Sequence, residues 1–258
     1  MPEGPEVLII AEILNKELIG KKIVNSTIDS MKKFLPLNVY KITSKGKKIL
    51  FLLDNQLGEK IVIISSLGMT GFWFFDEHKH TREVFEFEDK KLYYDDIRNF
   101  GSIKVCSSIN EYRDAMKDVG LCLMKERSFI TEGFMLQTFK NKRLMSKPVG
   151  EFLLEQKRFS GIGNYLKSEI LYEAEIDPRR ILSTLSDIDI LRIRSEIFKV
   201  MDNSYESGGF SMKDYKNPYG NKGNFTPEIY GKNIDRNGFK IEKIRGDRST
   251  FWVPDIQK

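Results

Sequence analysis

Apolar residues at Val7, Ile10, Ile13, Leu14 and Leu18 recur at the three-and-four spacing of one helix face, with Pro5 in a first-turn position and Gly20 closing the run. This predicts an amphipathic helix over 4–20. From about 21 to 106 the period shortens to that of strands. The runs KKILFLL, KIVIISS, GFWFF, EVFEFED, KLYYDD and GSIKVC are separated by turn residues, the pattern of an antiparallel β-sandwich of hairpin-connected strands. Helical spacing returns between about 110 and 202, with Ile190, Ile193, Ile197 and Val200 on one face. The fold class is therefore α+β, a β domain over 1–108 followed by a helical domain over 109–258. Residues 206–225, ESGGFSMKDYKNPYGNKGNF, are rich in Gly, Asn and Lys and read as a mobile loop too poor in apolar groups to pack. Beyond it, GFKIEKIRGDRSTFWV reads as two strands joined at Gly246 and Asp247, a hairpin that carries Arg248.

Composition narrows the class. With 258 residues, 40% of them hydrophobic, the chain can build real cores and is not disordered as a whole. No run approaches the eighteen or so apolar residues of a membrane span, and Glu3 and Glu6 argue against a signal peptide, so no membrane partner and an intracellular protein are expected. Cys106 and Cys122 are too few for a disulfide framework and match no zinc spacing. His78 and His80 read as a surface pair. A net charge of +5 favours polyanionic partners. It is concentrated at Lys45, Lys47 and Lys48 and again at Lys240, Lys243, Arg245 and Arg248, two patches able to grip two stretches of phosphate.

Three constellations could carry chemistry. Loss of Met1 would leave Pro2 with a free secondary amine. An α-amine with a pKa near 7.7–8.0 is roughly a tenth neutral at pH 7, whereas a lysine is neutral in only about one part in a few thousand. A secondary amine that attacks a sugar C1′ gives an iminium that cannot lose its charge at nitrogen, and Glu3 beside it could move protons. The GIGN turn at 161–164 places Asn164 at a helix start, where exposed amides bind phosphate or the asparagine merely caps the helix. Met69 in SSLGMTG, and Arg98 and Phe100 in DDIRNFG, are bulky for loop tips. They either fold back into the core or serve as wedges that fill the gap left by a flipped base.

Taken in order, PEGPEV, SKGK, SLGMTG, DIRNFG, GIGNYLKSEILYEAEIDP, SGGFSMKDY, IYGK and RSTFWVPDIQK resemble the formamidopyrimidine-DNA glycosylase / endonuclease VIII family of DNA repair enzymes. The resemblance implies a bifunctional glycosylase and abasic-site lyase acting by β,δ-elimination, with a helix-two-turns-helix motif in the second domain. Pro2 matches the nucleophile, Glu3 the acid that assists sugar opening and base departure, and Glu6 a further acidic pocket position. Lys47, Asn164 and Arg248 match contacts to DNA phosphate, Lys47 beside the reacting centre. Met69, Arg98 and Phe100 match the residues that fill the void. Where the family's usual finger carries four zinc cysteines, this chain has Ile234, Asn237, Val253 and Ile256, which implies a zincless finger over about 228–258, with Ile244, Phe251 and Trp252 holding the hairpin. The resemblance thus implies no metal and no cofactor, and damaged double-stranded DNA as partner, with single strands or bubbles as further candidates. Gly4 follows the endonuclease VIII style, SGGFSMKDY the formamidopyrimidine enzyme, and Asn99 stands where the latter often has arginine. Oxidised pyrimidines and ring-opened purines are the implied substrates. A monomer is the expectation for one cleft on DNA. A catalytically silent binder of abasic or distorted DNA is the alternative.

Overall fold

The structure, a computed structural model, describes residues 1–211, 215–244, 246 and 249–258. Helix α1 (Gly4–Leu18) forms as its spacing predicts and buries Val7, Ile10, Ala11, Leu14 and Leu18 against the sheet. Then follow β1 (Lys22–Ser26), the short α2 (Asp29–Lys32), β2 (Leu37–Lys45), β3 (Lys48–Asn55), β4 (Lys60–Ser66), β5 (Gly71–Phe74), β6 (Thr81–Phe87), β7 (Lys91–Asp96) and β8 (Ser102–Cys106). All pair antiparallel in one ladder of eight strands ordered β5-β7-β6-β1-β2-β3-β4-β8. The expected sandwich is thus one continuous sheet doubled over. Residues 67–70 carry the chain from β4 near one edge to β5 at the other. The two halves meet where the Trp73 indole donates to Ser65 Oγ at 3.0 Å and packs edge-on against Phe51 at 5.3 Å. Phe51, Trp73 and Phe85 are fully buried in that interior, each contributing at roughly 25 cal/mol per Å² of apolar surface removed from water.

The second domain opens with α3 (Ile109–Met116), whose capping box is Ser108 and Glu111. Next come β9 (Leu121–Cys122), α4 (Glu132–Phe139), α5 (Val149–Phe152), β10 (Phe159–Ser160), α6 (Asn164–Glu173) and α7 (Asp187–Glu206). Ile190, Ile193, Ile197 and Val200 of α7 are buried as their spacing predicts, against Leu166 and Ile170 of α6 among others. Residues 165–172 of α6 are all buried, so this helix is the axis of the domain. No described helix is long and apolar enough to cross a membrane.

The segment after α7 departs from its reading as a loop that cannot pack. Phe210 stacks on Tyr165 at 4.6 Å, Tyr215 is 1% exposed in the core of the first domain, and the Tyr219 hydroxyl donates to Glu17. Its aromatics follow no helical or strand period, so composition alone concealed them.

The hairpin of β11 (Glu242–Ile244) and β12 (Thr250–Trp252) pairs in register Glu242 with Trp252. The predicted joint at Asp247, and Arg248 itself, lie outside the described residues. Phe251 packs as expected, and Trp252 is covered by the Arg179 guanidinium at 4.1 Å. Ile244 is only half-buried, and the anchoring cluster is instead Tyr172, Ile229, Ile241 and Val253, with Ile256 beside it. Asp235 closes the preceding turn by accepting from the amides of Asn237 and Phe239 and from the Tyr172 hydroxyl, all within 2.9 Å.

Glu169 of α6 ties the hairpin region to the helix. Its carboxylate accepts the amides of Glu228, Ile229 and Tyr230 at 2.5–3.1 Å, and burial pushes its pKa from 4.5 up to about 7. A carboxyl that holds its proton more tightly when folded contributes stability below its unfolded pKa and loses it as pH rises. Stability should therefore fall by up to about 3 kcal/mol between pH 4.5 and pH 7 on account of this group. Urea titrations of the wild type and Glu169→Gln across that window check it: the difference in slope should vanish above pH 7, and parallel curves throughout would refute the assignment.

Candidate active site

The chain enters α1 through an extended Glu3, and the Gly4 amide donates to Gly161 O at 2.8 Å, which draws the N-terminus onto the GIGN turn. There the Glu3 carboxylate, 2% exposed, accepts the amides of Gly163 at 2.6 Å, Tyr165 at 3.0 Å and Leu166 at 3.2 Å. The amides at the start of α6, which the sequence offered either to phosphate or to simple capping of the helix, are taken up by the protein's own acid. Burial raises the Glu3 pKa, the Lys47 ammonium opposes that rise and the Glu6 carboxylate adds to it. Gly163 leaves the room: a Cβ there would overlap the Glu3 carboxyl and lie 2.6 Å from Lys47 Nζ. Lys47 and Glu3 are thus brought to one point.

Glu6 lies one turn deeper and is fully buried. It accepts from the Glu3 amide at 2.8 Å, the Tyr165 hydroxyl at 2.8 Å, Ser204 Oγ at 3.1 Å and the Phe210 amide at 3.1 Å. These bonds join α1, α6, α7 and the segment after α7, so Glu6 holds the N-terminus rather than facing the opening. Tyr165 and Ser204 were not singled out from the sequence, where nothing marks them as partners of an acid so distant.

Pro2, Lys47, Lys48, Ser66, Gly68 and Gln156 are among the residues lining a cavity of about 510 Å³, with Met1 at its wall. A second cavity of about 700 Å³, between α5 and the hairpin, includes neither Pro2 nor Lys47 in its lining. Asn164 meets the hairpin instead of open solvent: its Nδ2 donates to Ser249 O at 2.8 Å and its Oδ1 accepts from Lys167 Nζ at 2.9 Å.

Met69, Arg98 and Phe100 do stand out from the surface, with Met69 45% and Phe100 58% exposed. Their two loops touch. A Cβ at Gly68, where φ is +57°, would lie 2.6 Å from the Phe100 carbonyl, and the Arg98 guanidinium lies 5.1 Å from the Phe100 ring. Asp96 clamps both loops, accepting from the Thr70 hydroxyl at 2.6 Å and the amides of Gly101 at 2.8 Å and Arg98 at 3.3 Å. This fully buried carboxylate was missed in the sequence, although it ends a strand next to a turn. Asp96→Ala leaves those donors unpaired and should destabilise the protein by about 1–3 kcal/mol. A thermal melt no more shifted than that of the exposed control Asp76→Ala would show that the loops hold themselves.

Comparison with known proteins places the chain in a family. The N-terminal domain of formamidopyrimidine-DNA glycosylase matches residues 1–103, and the H2TH domain of the same enzyme matches 126–216. The chain belongs to the formamidopyrimidine-DNA glycosylase family. It is 31% identical to the formamidopyrimidine-DNA glycosylase of Streptococcus pneumoniae (strain TIGR4) over the whole chain and 99% of that protein, and 29% identical to that of Ligilactobacillus salivarius with the same coverage. Among solved structures, a complex of the Lactococcus lactis enzyme with abasic-site DNA superposes with a TM-score of 0.87 at 26% identity, covering 99% of both chains. A complex of a mutant of that enzyme with Fapy-dG DNA gives 0.87 at 25% identity over all of both chains. The H2TH match covers the GIGN turn and Asn164, and the match of the N-terminal domain covers Pro2, Glu3, Glu6, Lys47 and the two loops of the wedge candidates.

Proposed function

We propose that the chain is a bifunctional DNA glycosylase and abasic-site lyase of base excision repair, using the Pro2 amine as nucleophile. The observation that carries this is the convergence of Pro2 and Lys47 on one cavity, with Glu3 held beside Lys47 at the GIGN turn. Once Met1 is removed, the nitrogen lone pair of Pro2 attacks C1′ of the damaged nucleotide. The C1′–base bond breaks and the departing base takes up the proton that the Pro2 nitrogen gives up; that nitrogen's lone pair then opens the sugar to the iminium while Glu3, whose raised pKa suits it to carry a proton, delivers its own to the ring oxygen. The iminium accepts the electrons of the C2′–H bond when that proton is lost, the 3′ phosphate leaves, and a second elimination expels the 5′ phosphate. The result is a one-nucleotide gap.

Lys47, Asn164 and Arg248 hold phosphates around the kinked strand. The present bond of Asn164 to Ser249 keeps it next to the hairpin, so both can meet the same backbone. Phosphate contacts fix position without naming the lesion. Met69, Arg98 and Phe100 replace the flipped nucleotide in the stack. Oxidised pyrimidines and ring-opened purines are the proposed substrates, in keeping with a complex between the Lactococcus lactis enzyme and an oxidised-pyrimidine DNA, of 25% identity and TM-score 0.85. The finger is proposed to stand without metal. Ile234, Asn237, Val253 and Ile256 supply no thiolate or imidazole, while Val253 and Ile256 pack into the hairpin's anchoring cluster.

Incubation of the methionine-processed protein with abasic-site duplex and borohydride in EDTA, followed by peptide mass spectrometry, tests the proposal. An adduct at Pro2 is expected. An adduct at Lys47 would overturn the nucleophile, and tight binding without adduct or cleavage would favour a silent binder of damaged DNA.

A further inference from the structure

The pocket contains a third amine that the proposed chemistry leaves unused. Lys48 opens β3 on the strand face that carries Leu50 and Leu52, which α3 covers through Ala115 and Met116. The lysine sits at the open end of that cluster, half-buried, and lines the same cavity as Pro2 and Lys47. Its register partner on β4 is Ser66, whose hydroxyl accepts from Lys48 Nζ at 2.6 Å.

Its charge has no carboxylate partner among the described residues. Lys47 faces the Glu3 carboxylate, the adjacent Lys45 pairs with Glu126 at 3.3 Å, and the acid on this wall, Asp118, is engaged by Lys157 at 2.9 Å. Among the described residues no carboxylate lies within ion-pair distance of Lys48, whose hydrogen-bonding partner is a neutral hydroxyl. An ammonium removed from water without a counter-charge is costly, and the cost is offset when an anion arrives. The anion that enters this pocket on the proposed reading is a phosphodiester next to the reacting sugar.

We infer that Lys48 is a phosphate-binding residue of the active pocket, held by Ser66 to grip the DNA backbone at the nucleotide whose sugar meets Pro2. The inference rests on the glycosylase reading above. Burial also pulls the Lys48 pKa below the ordinary lysine value, as an amine waiting for an anion should show.

Fluorescence anisotropy of the methionine-processed protein on a duplex with a tetrahydrofuran abasic analogue, over a salt series, tests this. Lys48→Met keeps the stem that packs near α3 and removes the charge, with Lys48→Gln as a second neutral variant should methionine disturb packing. Loss of one phosphate contact should lower the magnitude of the slope of log K against log salt by about 0.9, with an unchanged melting temperature, and Lys48→Arg should restore the slope. A wild-type slope in the folded neutral variants would overturn the assignment and leave the function reading intact. Wild-type protein that does not bind the duplex at all would overturn both.

Discussion

Protein that keeps Met1 should bind abasic-site DNA and fail to cut it. In the structure Met1 and Pro2 share the cavity wall, and with Met1 in place the proline nitrogen is an amide whose lone pair is delocalised. Removal of the methionine changes one atom's chemistry and little else, because the positions of Glu3, Gly4 and Glu6 are fixed by bonds that do not involve Met1. Strand cleavage should fall by about a thousandfold or more, the scale of loss when a covalent nucleophile is disabled. Affinity should stay close to that of the processed form, since Lys47, Lys48 and Asn164 are untouched. Quantitative cleavage assays on two preparations, sorted by intact mass, read this directly. Equal activity in the blocked form would move the nucleophile to a lysine, with Lys47 first in line.

How much of this was legible in advance depends on the range over which each interaction acts. The face of α1 and that of α7 could be read because a helix repeats its partners every three or four residues. Pro2, Glu3, Lys47 and the wedge candidates came from ordered motifs, each of them local. What the sequence concealed is what joins distant parts. Glu3 and the Gly163 amide are 160 positions apart, and no periodicity links an acid at the N-terminus to a glycine turn between helices. The turn announced available amides without naming their occupant, because a phosphate and a side-chain carboxylate satisfy the same donors. Doubling of the sheet was hidden in the same way: the unbroken apolar run of β3 tells that both its faces are covered, but not that Trp73 comes back to cover Phe51. Tyr215, inserted from the second half of the chain into the first core, sits in a segment whose Gly and Asn content outweighed its aromatics.

The residue on which both halves of the site depend is Glu3, and Glu3→Gln should show it. Oε2 accepts the amides of Gly163 and Leu166 and Oε1 that of Tyr165, so whichever way the glutamine amide turns, its NH₂ group opposes at least one donor. An unpaired buried amide costs about 1–3 kcal/mol, and the melting temperature should drop accordingly. The catalytic loss is of another kind. Burial raises the Glu3 pKa, so the group stays protonated to higher pH than a free glutamate and, on the proposed mechanism, serves as the acid below that folded pKa; the contribution is lost as pH rises through it. Excision of an oxidised pyrimidine should fall by about 10²- to 10⁴-fold in the variant, and the falling limb of its pH profile should disappear. A pre-formed abasic site already exchanges with its ring-opened aldehyde, so its cleavage depends less on a proton delivered to the sugar oxygen and should suffer less. Measured side by side on lesion and abasic duplexes, an equal loss on both would instead mean that Glu3 acts only by holding the N-terminus at the GIGN turn, and would deprive the proposed mechanism of its acid.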